Sequence, residues 1–198
     1  MLIEYLTVAK AHGLTPFSVY QGKWNAAQRD MEGEIIPMCQ DQGMAVVPWA
    51  ALGGGQLLSS QQRKDLDSDP KQAGRQKNIG EKSIAVSDAL EAIANEKKTT
   101  LQAVALAYLL SQHPYTVPIV GVQTVEHIKA MPDALRVELS KEDIAKIHEA
   151  SPYDPGFPIT FLFNFKGDQP FNLGLTEKDV QQYQMSAIIG GPPKQQSR

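Results

Sequence analysis

LTPFSVYQGKWNAAQRDMEGEIIPMCQDQGMAVVPWAALGGGQLL, residues 14–58, reads as strand, helix, strand and glycine-rich loop. PFSVYQGKW is a β-branched and aromatic run opened by Pro16. From Ala26 to Gln42 the chain is polar, with Met31, Ile35, Met38 and Cys39 at helical spacing, and Gly43 ends the helix. MAVVPW is a continuous apolar run, the mark of a parallel strand covered on both faces. A strand–helix–strand of this length is a βαβ unit, whose ligands gather beyond the carboxyl ends of the strands. Tyr20, Gln21, Lys23, Trp24, Asn25 and Trp49, then Gly53, Gly54 and Gly55, stand at those ends.

Working outward, residues 1–12 are an amphipathic helix with Leu2, Ile3 and Leu6 on one side and Gly13 behind it. Residues 59–82 are polar and too long for an ordinary connection, so a functional loop or a disordered one is expected. SIAVSDALEAIANEKK is the next helix, and Thr99 with Gln102 suggests a capping box for LQAVALAYLLSQ, apolar nearly all round and therefore buried. TVPIVGV reads as a third parallel strand, TVEHIKAM as a short helix halted by Pro132, and KEDIAKIHEAS as a helix capped by Ser140 with Asp143. Residues 153–198 change character: Phe157, Phe161, Phe163, Phe165 and Phe171 lie close together among prolines, before a last helix capped by Thr176. They read as a lid over a flat ligand or a strap to another subunit.

With 198 residues, 42% of them hydrophobic and 21% charged, the chain suits one ordinary core. A net charge of −3 argues against nucleic acid or anionic membrane as partner. No basic leader precedes an apolar segment and no run is long enough to span a bilayer, so a cytoplasmic protein is expected. Cys39 lies on the apolar side of its helix, as a buried inert thiol would. His12, His113, His127 and His148 do not fall at metal-ligand spacing, and no metal site is expected. Lys23 and Tyr20 are acid–base candidates beside an aromatic wall of Trp24 with Asn25; packing and solvated charge are the plainer roles for these residues. His127 is the histidine best placed for acid–base work. Arg29 and Asp30 read as helix surface charge or an ion pair.

FSVYQGKWN…RD, GMAVVPWAALGGGQL and LQAVALAYLLSQHPYTVPIVGVQTVEHI, in that order, resemble the aldo-keto reductases, in particular fungal aryl-alcohol dehydrogenases and norsolorinic acid reductase-like proteins. The resemblance runs from about Leu2 to Ser151. It implies an eight-stranded (β/α) barrel that binds NADPH across its carboxyl face and reduces carbonyls. Only the last three strands are represented, so the expected architecture is a truncated TIM-type barrel over residues 1–152, completed by self-association. The family's catalytic tyrosine, lysine, aspartate and histidine lie on strands outside this sequence.

By the same resemblance, Gln21 meets the nicotinamide carboxamide, Trp49 stacks on its ring, and Leu52 with Gly53, Gly54 and Gly55 passes the pyrophosphate. Gln21 and Trp49 could equally be packing groups, and the glycines a tight turn. At the adenosine 2′-phosphate end, Gly121, Val122, Gln123 and Thr124 supply no arginine or lysine. A missing charge-assisted bond weakens the grip by about 1.5–3 kcal/mol. The expected cofactor is therefore none, or NADP(H) or NAD(H) held weakly. Three functions follow. The leading one is non-redox acid–base chemistry on an aromatic or polyketide-like molecule. The second is an NAD(P)H-dependent aryl-alcohol or aldehyde oxidoreductase completed by a partner, and the third a non-catalytic binding module or a degenerate reductase.

Overall fold

The computed structural model describes residues 2–68, 79–154 and 156. Helix α1 (Leu2–Ala11) buries Leu6 and Ala9 and closes through Leu14 N–H to Ala9 O, with Gly13 left-handed behind it. Strand β1 (Val19–Lys23) pairs in parallel with β2 (Ala45–Trp49), in the register Val19 to Ala45 through Lys23 to Trp49. Between them α2 (Ile35–Gln42) ends where Gly43, at φ 67°, gives its N–H to Cys39 and Gln40.

The helix expected from Ala26 starts only at Ile35. A proline has no N–H to donate and its ring clashes with the carbonyl of the residue four back, so no helix can run through Pro37 from Ala26. Pro37 is tolerated because it falls in the first turn. The preceding residues form a turn on Asn25 and a 3-10 turn, Asp30–Glu32.

The third strand is reduced to a paired extended segment. Val46 donates to Tyr115 O at 2.9 Å and accepts from Val117 N at 2.9 Å. The next donor in that ladder would be the N–H of Pro48, which does not exist, so one bridge, Val46 with Thr116, is all that is regular. Ile119 N–H then resumes the contact with Pro48 O at 2.8 Å. Nor is β2 covered on both faces. Val46 and Pro48 are buried under the helices, while Val47 is half-buried and Trp49 is 46% exposed on the other side. Among the described residues nothing lies over that second face.

The expected long loop at 59–82 contains a helix, α3 (Ser60–Ser68). Its signal was a capping box: Ser59 Oγ accepts from Gln62 N, and Gln62 Oε1 accepts from Ser59 N. Glu91 and Asp88 of α4 (Glu81–Lys97) anchor α3 through Ser60 and Arg63. Helix α5 (Leu101–Gln112) is buried nearly all round, as its composition requires. Its cap is Thr100 bonding Ala103 N, not Thr99 with Gln102, because Thr99 instead gives its N–H to Ala94 O in closing α4. Helix α6 (Val125–Ala130) hands over to a 3-10 turn at Met131–Leu135, so Pro132 opens a turn as well as ending a helix. Helix α7 (Lys141–Ala150) carries the full Ser140–Asp143 capping box.

The core gathers Trp24, Val46, Leu90, Ile93, Tyr108 and Ile147 between the sheet and α4, α5 and α7. Asp143 joins α7 to α4 through Lys97 at 2.8 Å. Burial pushes its carboxyl up, but the Lys97 cation and the Ser140 N–H outweigh this and hold it below the usual carboxylate range. A depressed native value lends stability above about pH 4 that is lost as pH falls through it. In urea titrations between pH 7 and pH 2, Asp143→Asn is expected to be the less stable form at neutral pH and to converge on the parent in acid. Parallel curves would refute this role. Cys39 is buried and its thiol is pushed up to about 11 by that burial, which leaves it unreactive. Among the described residues no helix is long and apolar enough to cross a membrane, and no three His, Cys, Asp or Glu side chains gather as a metal site.

Candidate functional site

The parallel register puts Gln21 beside Val47 and Lys23 beside Trp49, all on the uncovered face. Lys23 Nζ lies 5.8 Å from the Trp49 ring centroid. Tyr20 is on the opposite face, half-buried against the core, so it cannot act with Lys23 as one acid–base pair. Gly22 shares that side: an added Cβ would stand 2.6 Å from Met31 Sδ. His127 is exposed on α6, its N–H donated to the Thr124 hydroxyl that caps the helix. Gln123 is exposed beside it. Lys23, Tyr20 and His127 therefore belong to three different surroundings.

Two further expectations are corrected. Trp24 is fully buried, with its indole N–H given to Glu32 at 3.0 Å, so it forms part of the core and not of a ligand wall. Asn25 is 2% exposed and its amide is spent on backbone. Its Oδ1 accepts from Ala27 N and Gln28 N, and its Nδ2 donates to Ala50 O at 3.1 Å. Phe157, Phe161 and Phe163 lie outside the described residues.

The Asn25 bond to Ala50 shapes the loop after β2. Ala50 has φ 52°, a left-handed conformation that costs an alanine about 1–2 kcal/mol. Its carbonyl also takes Gly53 N–H at 2.8 Å, closing a turn directly after the exposed Trp49. Gly53 and Gly54 are left-handed in succession. A Cβ on Gly53 would press to 2.9 Å of Leu57, whereas Gly54 meets nothing within 4 Å. Leu52 is half-buried against the core and pins the loop. An exposed flat indole, an exposed amide from Gln21 and an open glycine turn thus stand together at the carboxyl ends of two parallel strands. This arrangement suits a planar ring with a polar, extended tail.

Beneath it lies a cluster that the sequence did not announce. Glu32 accepts from Trp24 Nε1, from Tyr108 Oη at 2.7 Å and from Arg29 Nε at 2.9 Å. Arg29, 3% exposed, also reaches Ser151 O at 2.8 Å. With the Tyr108 proton given to Glu32, His148 Nε2 is the donor to the phenol oxygen at 3.1 Å. Burial, and then the Glu32 charge, push the Tyr108 hydroxyl well above its ordinary value, so it stays protonated as a donor. The ion pair expected at Arg29 exists, but in the interior. The available hint was Tyr108, whose hydroxyl falls within the apolar run Ala103–Leu110 of α5.

Comparison with known proteins places these features in a family frame. The aldo/keto reductase family model matches residues 2–152. Norsolorinic acid reductase of Aspergillus flavus is 38% identical over 196 residues, 99% of this chain but 49% of that protein. Norsolorinic acid reductase B of Dothistroma septosporum is 45% identical, covering 82% of this chain and 42% of its own length. A probable aryl-alcohol dehydrogenase of Saccharomyces cerevisiae is 38% identical, with 91% and 54% covered. The solved glycerol dehydrogenase of Gluconobacter oxydans superposes with a TM-score of 0.56 at 23% identity, over 74% of this chain and 47% of that one. This chain spans about half the length of the curated relatives it matches.

Proposed function

Because the chain belongs to the aldo/keto reductase family, we propose that it supplies the nicotinamide-facing wall of an NAD(P)H-dependent oxidoreductase acting on aryl or polyketide-like carbonyl compounds. The observation that carries this reading is Trp49, exposed at the end of β2 between Gln21 and Lys23 on one side and the left-handed glycine turn on the other. Relatives named as reductases and dehydrogenases favour redox chemistry over the non-redox reading that the sequence put first. The acid–base pair which that reading needed is also divided between the two faces of the sheet.

The residues present fit a dinucleotide. Trp49 offers a stacking face, Gln21 an amide for a carboxamide, and the turn at Gly53 and Gly54 a close backbone approach for phosphates. When bound, such a cofactor would supply a hydride to a carbonyl carbon or accept one from an alcohol carbon. This chain's own part is to orient the planar ring and, through Lys23, to place positive charge beside it. The proton for the carbonyl oxygen comes from outside this sequence, where the resemblance puts the family's tyrosine. The lack of a cation at Gln123 and Thr124 makes discrimination for NADPH over NADH small.

Tryptophan emission tests this directly, because Trp24 is buried and Trp49 is not. NADPH and NADH are both expected to quench the exposed component saturably below a few millimolar, with less than about tenfold between them. Trp49→Phe, which keeps Trp24, should show no quenching. An emission spectrum indifferent to both cofactors would remove the proposal.

A further inference from the structure

His113 follows α5 directly and opens the turn into the third strand, at the end of the sheet away from Trp49. Its ring is 2% exposed, and Nδ1 accepts the backbone N–H of Tyr115 at 3.2 Å. That acceptor role puts the ring hydrogen on Nε2, which is buried and meets no acceptor among the described residues. The turn is tied again where Thr116 Oγ1 donates to His113 O at 2.9 Å. Three backbone bonds then hold residues 115–119 to β2 among the described residues: Val46 N–H to Tyr115 O, Val117 N–H to Val46 O and Ile119 N–H to Pro48 O. Gly121 to Thr124 come next and lead into α6, so whatever fixes this segment also fixes where they stand.

We propose that His113 is an acid-sensitive latch: its neutral ring holds the 115–119 segment against β2, and gaining a proton releases that segment while the rest of the fold stays closed. A cationic imidazole carries hydrogen on both nitrogens. A hydrogen on Nδ1 takes the place that the Tyr115 N–H now fills, so the cation and this turn exclude each other. The cation is also costly where it stands, because its charge is buried with Nε2–H unpaired. Burial, the larger influence on the ring, accordingly holds its pKa below the ordinary histidine range. No carboxylate, cation or second imidazole acts on it among the described residues; the titratable group facing it is Tyr115, edge-on with centroids 6.3 Å apart. A histidine with a depressed native value lends stability that is complete above about pH 6.5 and is lost as pH falls below it. His148, also buried, touches Tyr108 between α5 and α7, so its titration acts on those helices and not on this turn.

Amide hydrogen exchange on the full 198-residue chain tests this, read by NMR from pH 7.5 to pH 5.5 and corrected for the intrinsic pH dependence. Protection at Val46, Tyr115 and Val117 is expected to fall by about fivefold. Ala45, bonded to Ser18 on the β1 side, and Ser151, at the end of α7, should keep theirs. His113→Asn offers an amide oxygen that takes up no proton in this range, and should leave the protection of all five amides flat. If that variant does not fold, the imidazole resonances of the parent decide: the ring should be neutral with hydrogen on Nε2 at pH 7.5, and Nδ1–H should appear in step with the loss at Tyr115. Three amides that stay protected to pH 5.5 overturn the proposal, as does a parallel loss at Ala45 and Ser151. So does a loss that persists in His113→Asn, or an Nδ1-protonated ring at pH 7.5. These readings are made without cofactor, so they stand or fall independently of the Trp49 titration.

Discussion

Glu32→Ala is expected to lower the unfolding free energy by about 3–5 kcal/mol, the usual cost of removing one member of a buried ion pair. Arg29 and Glu32 have side chains 4% and 11% exposed, so water does little to screen what is left behind. Without the carboxylate, the Arg29 guanidinium keeps Ser151 O but loses its counter-charge. Trp24 Nε1 and Tyr108 Oη lose their acceptor in the same step. Replacing both charges with apolar groups, as in Arg29→Met with Glu32→Leu, should recover much of the loss, because no buried charge then lacks a partner. Urea midpoints at neutral pH decide the matter. A loss under about 1 kcal/mol for Glu32→Ala would mean that the cluster is ornamental.

Asn25→Ala has the next largest consequence, and it couples stability to the site. Ala27 N–H loses its acceptor and Ala50 O loses one of two donors, for a cost of about 2–3 kcal/mol. The left-handed Ala50 is then less firmly held, and the turn that aims Trp49 and Gly53 loosens. Cofactor quenching should weaken by about tenfold, equivalent to roughly 1.4 kcal/mol. Affinity read in buffer without urea, where the variant is still folded by circular dichroism, separates the two effects: unchanged affinity in the folded variant would show that Asn25 acts only on the fold.

Much of the architecture was readable because it depends on local chemistry. Gly43 had to end α2, Ser140 with Asp143 had to begin α7, and α5 was too apolar to lie anywhere but inside. Pro37 and Pro48 were equally visible, yet their effects on the start of α2 and on the pairing of 115–119 follow from which carbonyl each faces. Ser59 with Gln62 was a legible cap passed over in a polar stretch. At the site, the family pattern picked out Gln21, Trp49 and the glycines; Gln21 lies mid-strand on the open face, Trp49 ends β2 on the same face, and the glycines follow it.

What the amino-acid order determined alone was the order of most elements, the ends marked by Gly43 and by Ser140 with Asp143, and the family, since each depends on neighbours within a few residues or on a pattern kept in order. Tertiary structure alone decided that Tyr20 and Lys23 part company, that Trp24 and Asn25 turn inward, and that Arg29 meets Glu32, Tyr108 and Ser151 in the interior. Facing direction and burial are set by which elements pack together, and residues such as Arg29 and Ser151 meet across 122 positions of chain. A sequence window cannot see such a contact; the packed sheet and helices create it.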